Sequence, residues 1–167
     1  MRRKHPELAM IPTQELESVR LYFVGGYKQM NATLRGDTPE FLSRITPLVK
    51  MAASACNRLP SLVGTTYRGA ILSPAQTAAY EVGRVVTEKG FLSTTQDGHS
   101  WHLAPEHSNT LFVINASKNG HDICALSRFF EKEVLFVPGT RFKVLSKDID
   151  ASGKTVVYMN EVTETPP

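Results

Sequence analysis

Apolar residues recur at helical spacing through the first third of the chain. Leu16, Val19, Phe23, Val24, Tyr27, Met30 and Leu34 fall mostly three or four positions apart, and Gly25-Gly26 marks a break or kink in the run. Thr38-Pro39-Glu40 and Thr46-Pro47 each set a cap-type residue before a proline, the pattern of a first helical turn. Two short helices are therefore expected, ending near Arg58-Leu59-Pro60. After Pro60 the pattern becomes that of strands. Leu62 to Leu72 reads as one strand, and Ser73-Pro74-Ala75-Gln76 is a capping box opening a helix that should stop near Gly83. Further strands are predicted at Val85–Thr87, Phe91–Thr94, Leu111–Asn115, Glu133–Val137, Arg141–Asp148 and Thr155–Val162. Pro138-Gly139-Thr140 and Ala151-Ser152-Gly153-Lys154 are turn sequences, so the last three strands are expected to form a meander. Helices first and strands afterwards predict an α+β domain, helical over about 14–59, with an antiparallel-rich sheet core over about 62–163.

Composition narrows this picture only a little. The 167 residues are 41% hydrophobic and 21% charged, which fits one ordinary domain over 1–167 with a single substantial core. No apolar stretch approaches a membrane span, and His5, Pro6 and Glu7 interrupt the basic start, so a cleavable secretory signal is not expected. Cys56 and Cys124 lack paired spacing, which argues against a disulfide framework or a zinc knuckle. The net charge of +3 is mild, and no Lys/Arg block marks a nucleic-acid face.

Three stretches carry candidate chemistry. In Thr66-Tyr67-Arg68-Gly69 an arginine stands inside a strand, where burial is costly without an anion to hold. Its planar fork suits phosphate, and Gly69 would let a ligand approach the backbone. The plainer reading is an edge-strand arginine pointing at water. Gly90-Phe91-Leu92-Ser93-Thr94-Thr95 ends a strand in three hydroxyls, which can orient a carboxylate or bind sugar oxygens, or can simply cap a loop. In RFFEKEVLFVPGTRFKVLS, Glu131 and Glu133 enter an apolar run two positions apart, roughly 6–7 Å from each other on one strand face. A solvated strand end is the ordinary explanation of such a pair. Each stretch alone favours its plainer reading; the three in this order do not.

Together, Tyr67-Arg68-Gly69, Phe91-Leu92-Ser93-Thr94-Thr95 and Glu131-Lys132-Glu133-Val134-Leu135 resemble the arginine–serine–glutamate signature of bacterial mono-ADP-ribosyltransferase toxins. Tyr27 to Arg35 is similar to that family's helical segment before the first motif, and Pro138 to Phe142 resembles the hairpin after its glutamates, so the resemblance spans about residues 14 to 163. It implies two roughly perpendicular sheets with a cleft binding NAD as co-substrate. It further implies that Glu133 steadies the positive charge developing on the ribose as nicotinamide leaves, a need shared with glycoside hydrolysis. Ser93 would hold Glu133, Arg68 would clamp a phosphate, and backbone groups of Gly69 would hold the nicotinamide amide. Thr94 joins the cofactor set, with Arg35 as a second phosphate candidate or a solvated helix arginine. Trp101 is the candidate for stacking on nicotinamide, whereas Phe112 reads as core. In the resembling family a glutamate in the place of Glu131 accompanies an arginine acceptor, whose guanidinium it would pair with and steer. Phe129 and Phe130 would then meet the target protein, or lie in the core.

Other chemistry finds less support in the residues. His99, His102 and His107 share a loop but lack a carboxylate or thiolate at matching spacing, so no metal is expected. No Rossmann, phosphate-loop or GxSxG motif is present. The implied function is transfer of ADP-ribose to a protein arginine. The alternatives are an NAD glycohydrolase, transfer to a nucleic-acid or other acceptor, and a non-catalytic binding module. By analogy such a chain is a toxin or effector, secreted without a signal peptide to act in a target-cell cytoplasm, and held in check by an immunity protein; an ordinary cytoplasmic enzyme is the other reading.

Overall fold

The computed structural model describes residues 5–126 and 132–163. Helix α1 (Thr13–Leu21) runs through a π-helical turn, Tyr22–Gly26, into α2 (Tyr27–Arg35). Gly25 supplies the expected kink at φ 123°, a conformation other residues rarely adopt. Helix α3 (Leu42–Asn57) corrects the expectation of two short helices, because Pro47 lies inside one continuous helix. The helix survives this proline, which costs one backbone hydrogen bond, by burying Ile45, Val49, Ala52, Ala55 and Cys56 along one stripe. Thr46 meanwhile donates its hydroxyl to the Leu42 carbonyl at 2.6 Å. These residues pack with Leu16, Val19, Met30, Phe91 and Leu135 into a first apolar core.

Strand β1 (Gly64–Ala70) is followed by the short helix α4 (Pro74–Ala78), opened by the predicted capping box at Ser73. The helix ends at Ala78 rather than near Gly83, since Tyr80 leaves it to pack on Phe112 with ring centroids 4.8 Å apart. The remaining strands are β2 (Val85–Thr87), β3 (Leu92–Thr95), β4 (Thr110–Ala116), β5 (Gly120–Asp122), β6 (Glu133–Phe136), β7 (Arg141–Ile149) and β8 (Thr155–Val162). Their hydrogen-bonded order is β2-β7-β8-β4-β1-β3-β6-β5. β1 and β3 touch through one pair only, Tyr67 opposite Thr95, so a long ladder ending at β1 meets a short ladder starting at β3. Leu92, Val134 and Phe136 of the short ladder share a second core with Phe112, Ile114, Phe142, Val144, Val157 and Met159 of the long one. The Phe136 and Phe142 rings meet edge to face at 5.1 Å across it.

The expected meander is corrected. β7 and β8 do pair antiparallel, but β6 lies between β3 and β5 and β7 lies beside β2. The Pro138 to Phe142 segment thus carries the chain between ladders rather than closing a hairpin. Burial explains the choice: Val134 and Phe136 face the second core while Leu135 faces the helical one, so β6 needs apolar cover on both sides. β8 also runs parallel to β4, and β5 carries no strand pattern in the sequence.

Candidate active site

Where the β1–β3 ladder stops, the strands part and a cleft of about 420 Å³ opens. Its walls are Tyr22, Phe23, Tyr27 and Asn31 from the helical side, Tyr67 to Gly69 of β1, Phe91 to Thr95, His102 and Leu103, and Glu133 of β6. Arg68, Ser93 and Glu133 therefore share one pocket.

The register of the short ladder puts the last two together. Ser93 opposes Leu135 and Glu133 opposes Thr95, which makes Ser93 and Glu133 diagonal neighbours on one face. Ser93 Oγ donates to Glu133 Oε1 at 2.5 Å. Arg68 reaches across the parted strands, and its Nη1 donates to the Ser93 carbonyl at 2.7 Å. Among the described residues no carboxylate pairs with Arg68. Burial, and next the nearby Arg35 guanidinium, hold its pKa below the ordinary arginine value. A cation so placed favours an anionic ligand.

The other predicted residues divide. Gly69 lines the cleft, but the close approach it permits is made by the chain itself: a Cβ there would sit 2.3 Å from the His102 carbonyl oxygen. Thr94 also lines the cleft, with its hydroxyl donated to the Val134 carbonyl at 2.9 Å. Arg35 is not in this pocket. It lines an adjoining hollow on the Arg68 side and pairs with Glu88, Nε and Nη2 each 3.1 Å from Oε1. Trp101 opens the short helical turn Trp101–Leu103 at the cleft wall, and its side chain lies outside the described residues. Phe129, Phe130 and Glu131 lie outside them too. Phe112 is buried in the second core. Among the described residues no three His, Cys, Asp or Glu side chains converge on a common metal position.

Asn31 had no assigned part in the sequence, although a polar residue between Met30 and Leu34 on an apolar stripe was a usable signal. Its Nδ2 donates to the Phe91 carbonyl at 3.1 Å and to Tyr22 Oη at 3.2 Å, while its Oδ1 accepts from the Phe91 amide at 2.8 Å. The amide thus fastens α2 to the start of β3. Burial pushes the Tyr22 phenol up to about 12, partly offset by the hydrogen bond from Asn31, so this wall stays neutral. Lys154 had no part either; its buried ammonium donates to the Leu103 carbonyl and to Ser108 Oγ, tying the segment after Trp101 to the start of β8. The cleft as a whole offers a hydroxyl-oriented carboxylate, a buried guanidinium and an aromatic wall. That set suits a ligand combining phosphate with a centre of developing positive charge.

No protein-family model matches the chain. Over 161 residues it is 32% identical to Mav of Mycobacterium avium, assigned by name to the NAD(+)–arginine ADP-ribosyltransferases, covering 94% of this chain and 19% of Mav. Over 138 residues it is 33% identical to the NAD(+)–protein-arginine ADP-ribosyltransferase Tre1 of Pseudomonas putida, covering 82% of this chain and 26% of Tre1. The crystal structure of ADP-ribosyltransferase Vis of Vibrio splendidus in complex with agmatine matches with a TM-score of 0.78 at 28% identity, over 93% of this chain and 77% of that one. The chain spans 19% and 26% of the lengths of those first two relatives.

Proposed function

The chain belongs to the bacterial mono-ADP-ribosyltransferases of the arginine–serine–glutamate class, and from that premise we propose that it moves ADP-ribose from NAD to an arginine side chain of a target protein, releasing nicotinamide. The observation that carries this reading is the Ser93 Oγ to Glu133 Oε1 hydrogen bond in a pocket that also holds Arg68. Arg68 clamps a phosphate of NAD, and Arg35 stands ready in the adjoining hollow for further contact with the diphosphate. Glu133, oriented by Ser93, hydrogen-bonds the ribose and stabilises its positive charge as the bond to nicotinamide breaks. The acceptor guanidinium nitrogen then forms the new bond to the same ribose carbon and gives up a proton.

Glu131, two positions before Glu133, is the residue for pairing with that guanidinium, and Phe129 and Phe130 precede it as contacts for the target. Support for an arginine acceptor comes from the names of the relatives and from agmatine, the ligand of the Vis complex, which ends in a guanidinium. Trp101, Thr94 and the backbone of Gly69 complete the NAD set. The whole chain acts as one catalytic domain. Its role is that of a toxin or effector working in a target cell, with an immunity protein as the partner that restrains it.

The test is incubation of the purified chain with labelled NAD and a cell extract, followed by mass spectrometry of the labelled bands. ADP-ribose on arginine is the expected result. Label on nucleic acid or another side chain would overturn the choice of acceptor, and nicotinamide release without any labelled macromolecule would replace transfer by hydrolysis.

A further inference from the structure

The hollow beside the cleft, about 510 Å³, is lined by three guanidinium groups, Arg35, Arg68 and Arg84, and by one carboxylate, Glu88. The backbone fixes Glu88 firmly at the end of β2. Its N–H donates to the Thr140 carbonyl at 2.9 Å, and its carbonyl accepts from the Gly139 amide at 2.8 Å. Its side chain is held as well, since Oε1 accepts from the Gly90 amide at 3.0 Å besides the two donors of Arg35. The carboxylate therefore stays where it is if Arg35 turns elsewhere. Arg35 is 39% exposed, and an ion pair that open to water is weak.

We propose that Glu88 is a built-in competitor for the anion site: it pairs with Arg35 in the place where a diphosphate would, and so sets how loosely the dinucleotide is held. This rests on NAD being the co-substrate. A multiply charged diphosphate engages Arg68 and Arg35 together and displaces the single carboxylate, but it must do so against the Arg35 pair and against repulsion from Glu88 itself. Glu88 is an affinity-setting residue rather than a catalytic one. The opposite role, pre-orienting Arg35 so that the diphosphate binds better, predicts the opposite sign.

Glu88→Gln separates the two, because glutamine keeps an oxygen for the Gly90 amide and for Arg35 while losing the charge. Calorimetric titration with ADP at low ionic strength should show the variant binding about two- to fivefold tighter, the range that a partly exposed pair allows. The gain should shrink at high salt, and should fall away when the substitution is made on Arg35→Gln. Equal or weaker binding of ADP by Glu88→Gln, or no ADP binding by either protein, would overturn the proposal. Nicotinamide release from NAD by the parent protein reads the catalytic proposal separately: its absence alongside tighter ADP binding would sink that reading and leave the role of Glu88 standing.

Discussion

Ser93 and Glu133, forty positions apart, are joined by a 2.5 Å hydrogen bond whose geometry is set by the β3–β6 register rather than by either residue's local surroundings. A diagonal pair on one sheet face moves only if the ladder moves. The carboxylate is thus held by two strands whose inner side chains are core residues, Leu92, Val134 and Phe136. Pre-orientation of this kind is what an electrostatic contribution to catalysis requires, since a group that must reorganise during reaction loses much of its effect.

Removing the charge and removing its orientation should therefore differ in size. Glu133→Gln is expected to lower the rate of nicotinamide release about 10²- to 10³-fold, and Ser93→Ala roughly 10-fold, with NAD affinity little changed because Arg68 is untouched. Single-turnover release and calorimetry measure the two quantities. A Glu133→Gln protein as fast as the parent would remove the assigned role of the carboxylate.

Asn31 should matter for stability before it matters for binding. Asn31→Leu leaves both the amide and the carbonyl of Phe91 without the partner that the side chain supplies, in a site with 9% exposure for Asn31 and 1% for Phe91. Each buried polar group so stranded costs roughly 1–3 kcal/mol, which makes a loss of about 2–4 kcal/mol the expected result of urea unfolding. NAD affinity should fall in parallel, because α2 and the turn before it carry Tyr22, Phe23 and Tyr27 of the cleft wall. A variant as stable as the parent would mean that Phe91 finds those hydrogen bonds elsewhere.

What could be read in the chain beforehand was what is encoded locally. The kink at Gly25-Gly26, the capping box at Ser73 and six of the later strands follow from spacing, side-chain shape and φ preference within a few residues. Pairing partners were another matter. Val134, Leu135 and Phe136 announce a strand buried on both faces, yet nothing local says that its neighbours are β3 and β5 rather than β7, because that choice is made by the two cores. Pro47 misled for a similar reason, as the apolar stripe of α3 outweighs one missing hydrogen bond. At the site, the residue types of the three motifs could be named, whereas the clamp formed by Asn31 and the anchor formed by Lys154 depend on contacts 60 and 51 positions away.

Gly69 offers a test of how the cleft wall is built. An alanine Cβ there would meet the His102 carbonyl oxygen at 2.3 Å and Ser108 Cβ at 3.0 Å, so the segment after Trp101 would have to move out. Lys154 pulls the same segment in, through the Leu103 carbonyl and Ser108 Oγ. Gly69→Ala is expected to destabilise the fold by about 1–3 kcal/mol, the usual range for overpacking, and to weaken NAD binding through displacement of His102 and Leu103. Thermal unfolding and NAD titration check it. Lys154→Met should weaken NAD binding through the same segment, and the two substitutions together should do less than the sum of their separate effects.

Stability should also decline on the alkaline side, led by two enclosed groups. Burial raises the Cys56 thiol from 9.0 to about 12 and the Tyr22 phenol from 10.0 to about 12. Both are essentially enclosed, Cys56 at 0% exposure and Tyr22 at 4%. Each folded-state value lies above the unfolded one, so the favourable contribution is complete below the unfolded pKa. Above it the unfolded chain ionises first and gains, while the folded chain still holds its proton. The free energy of unfolding should begin to fall above about pH 9 through Cys56, with a smaller part from the less buried Cys124 thiol, raised to about 11. The fall should steepen above about pH 10 as Tyr22 joins, with Tyr80, whose phenol burial also raises. It should level off near pH 12, with a limiting slope of about 1.4 kcal/mol per pH unit for each group. Urea midpoints taken at about pH 8, 9 and 10.5 would show the decline, and Cys56→Ala should shrink its first stage to the part left by Cys124 while keeping the second. Midpoints that stay flat across that range would mean that both groups meet water in the folded chain, against their places in the helical core.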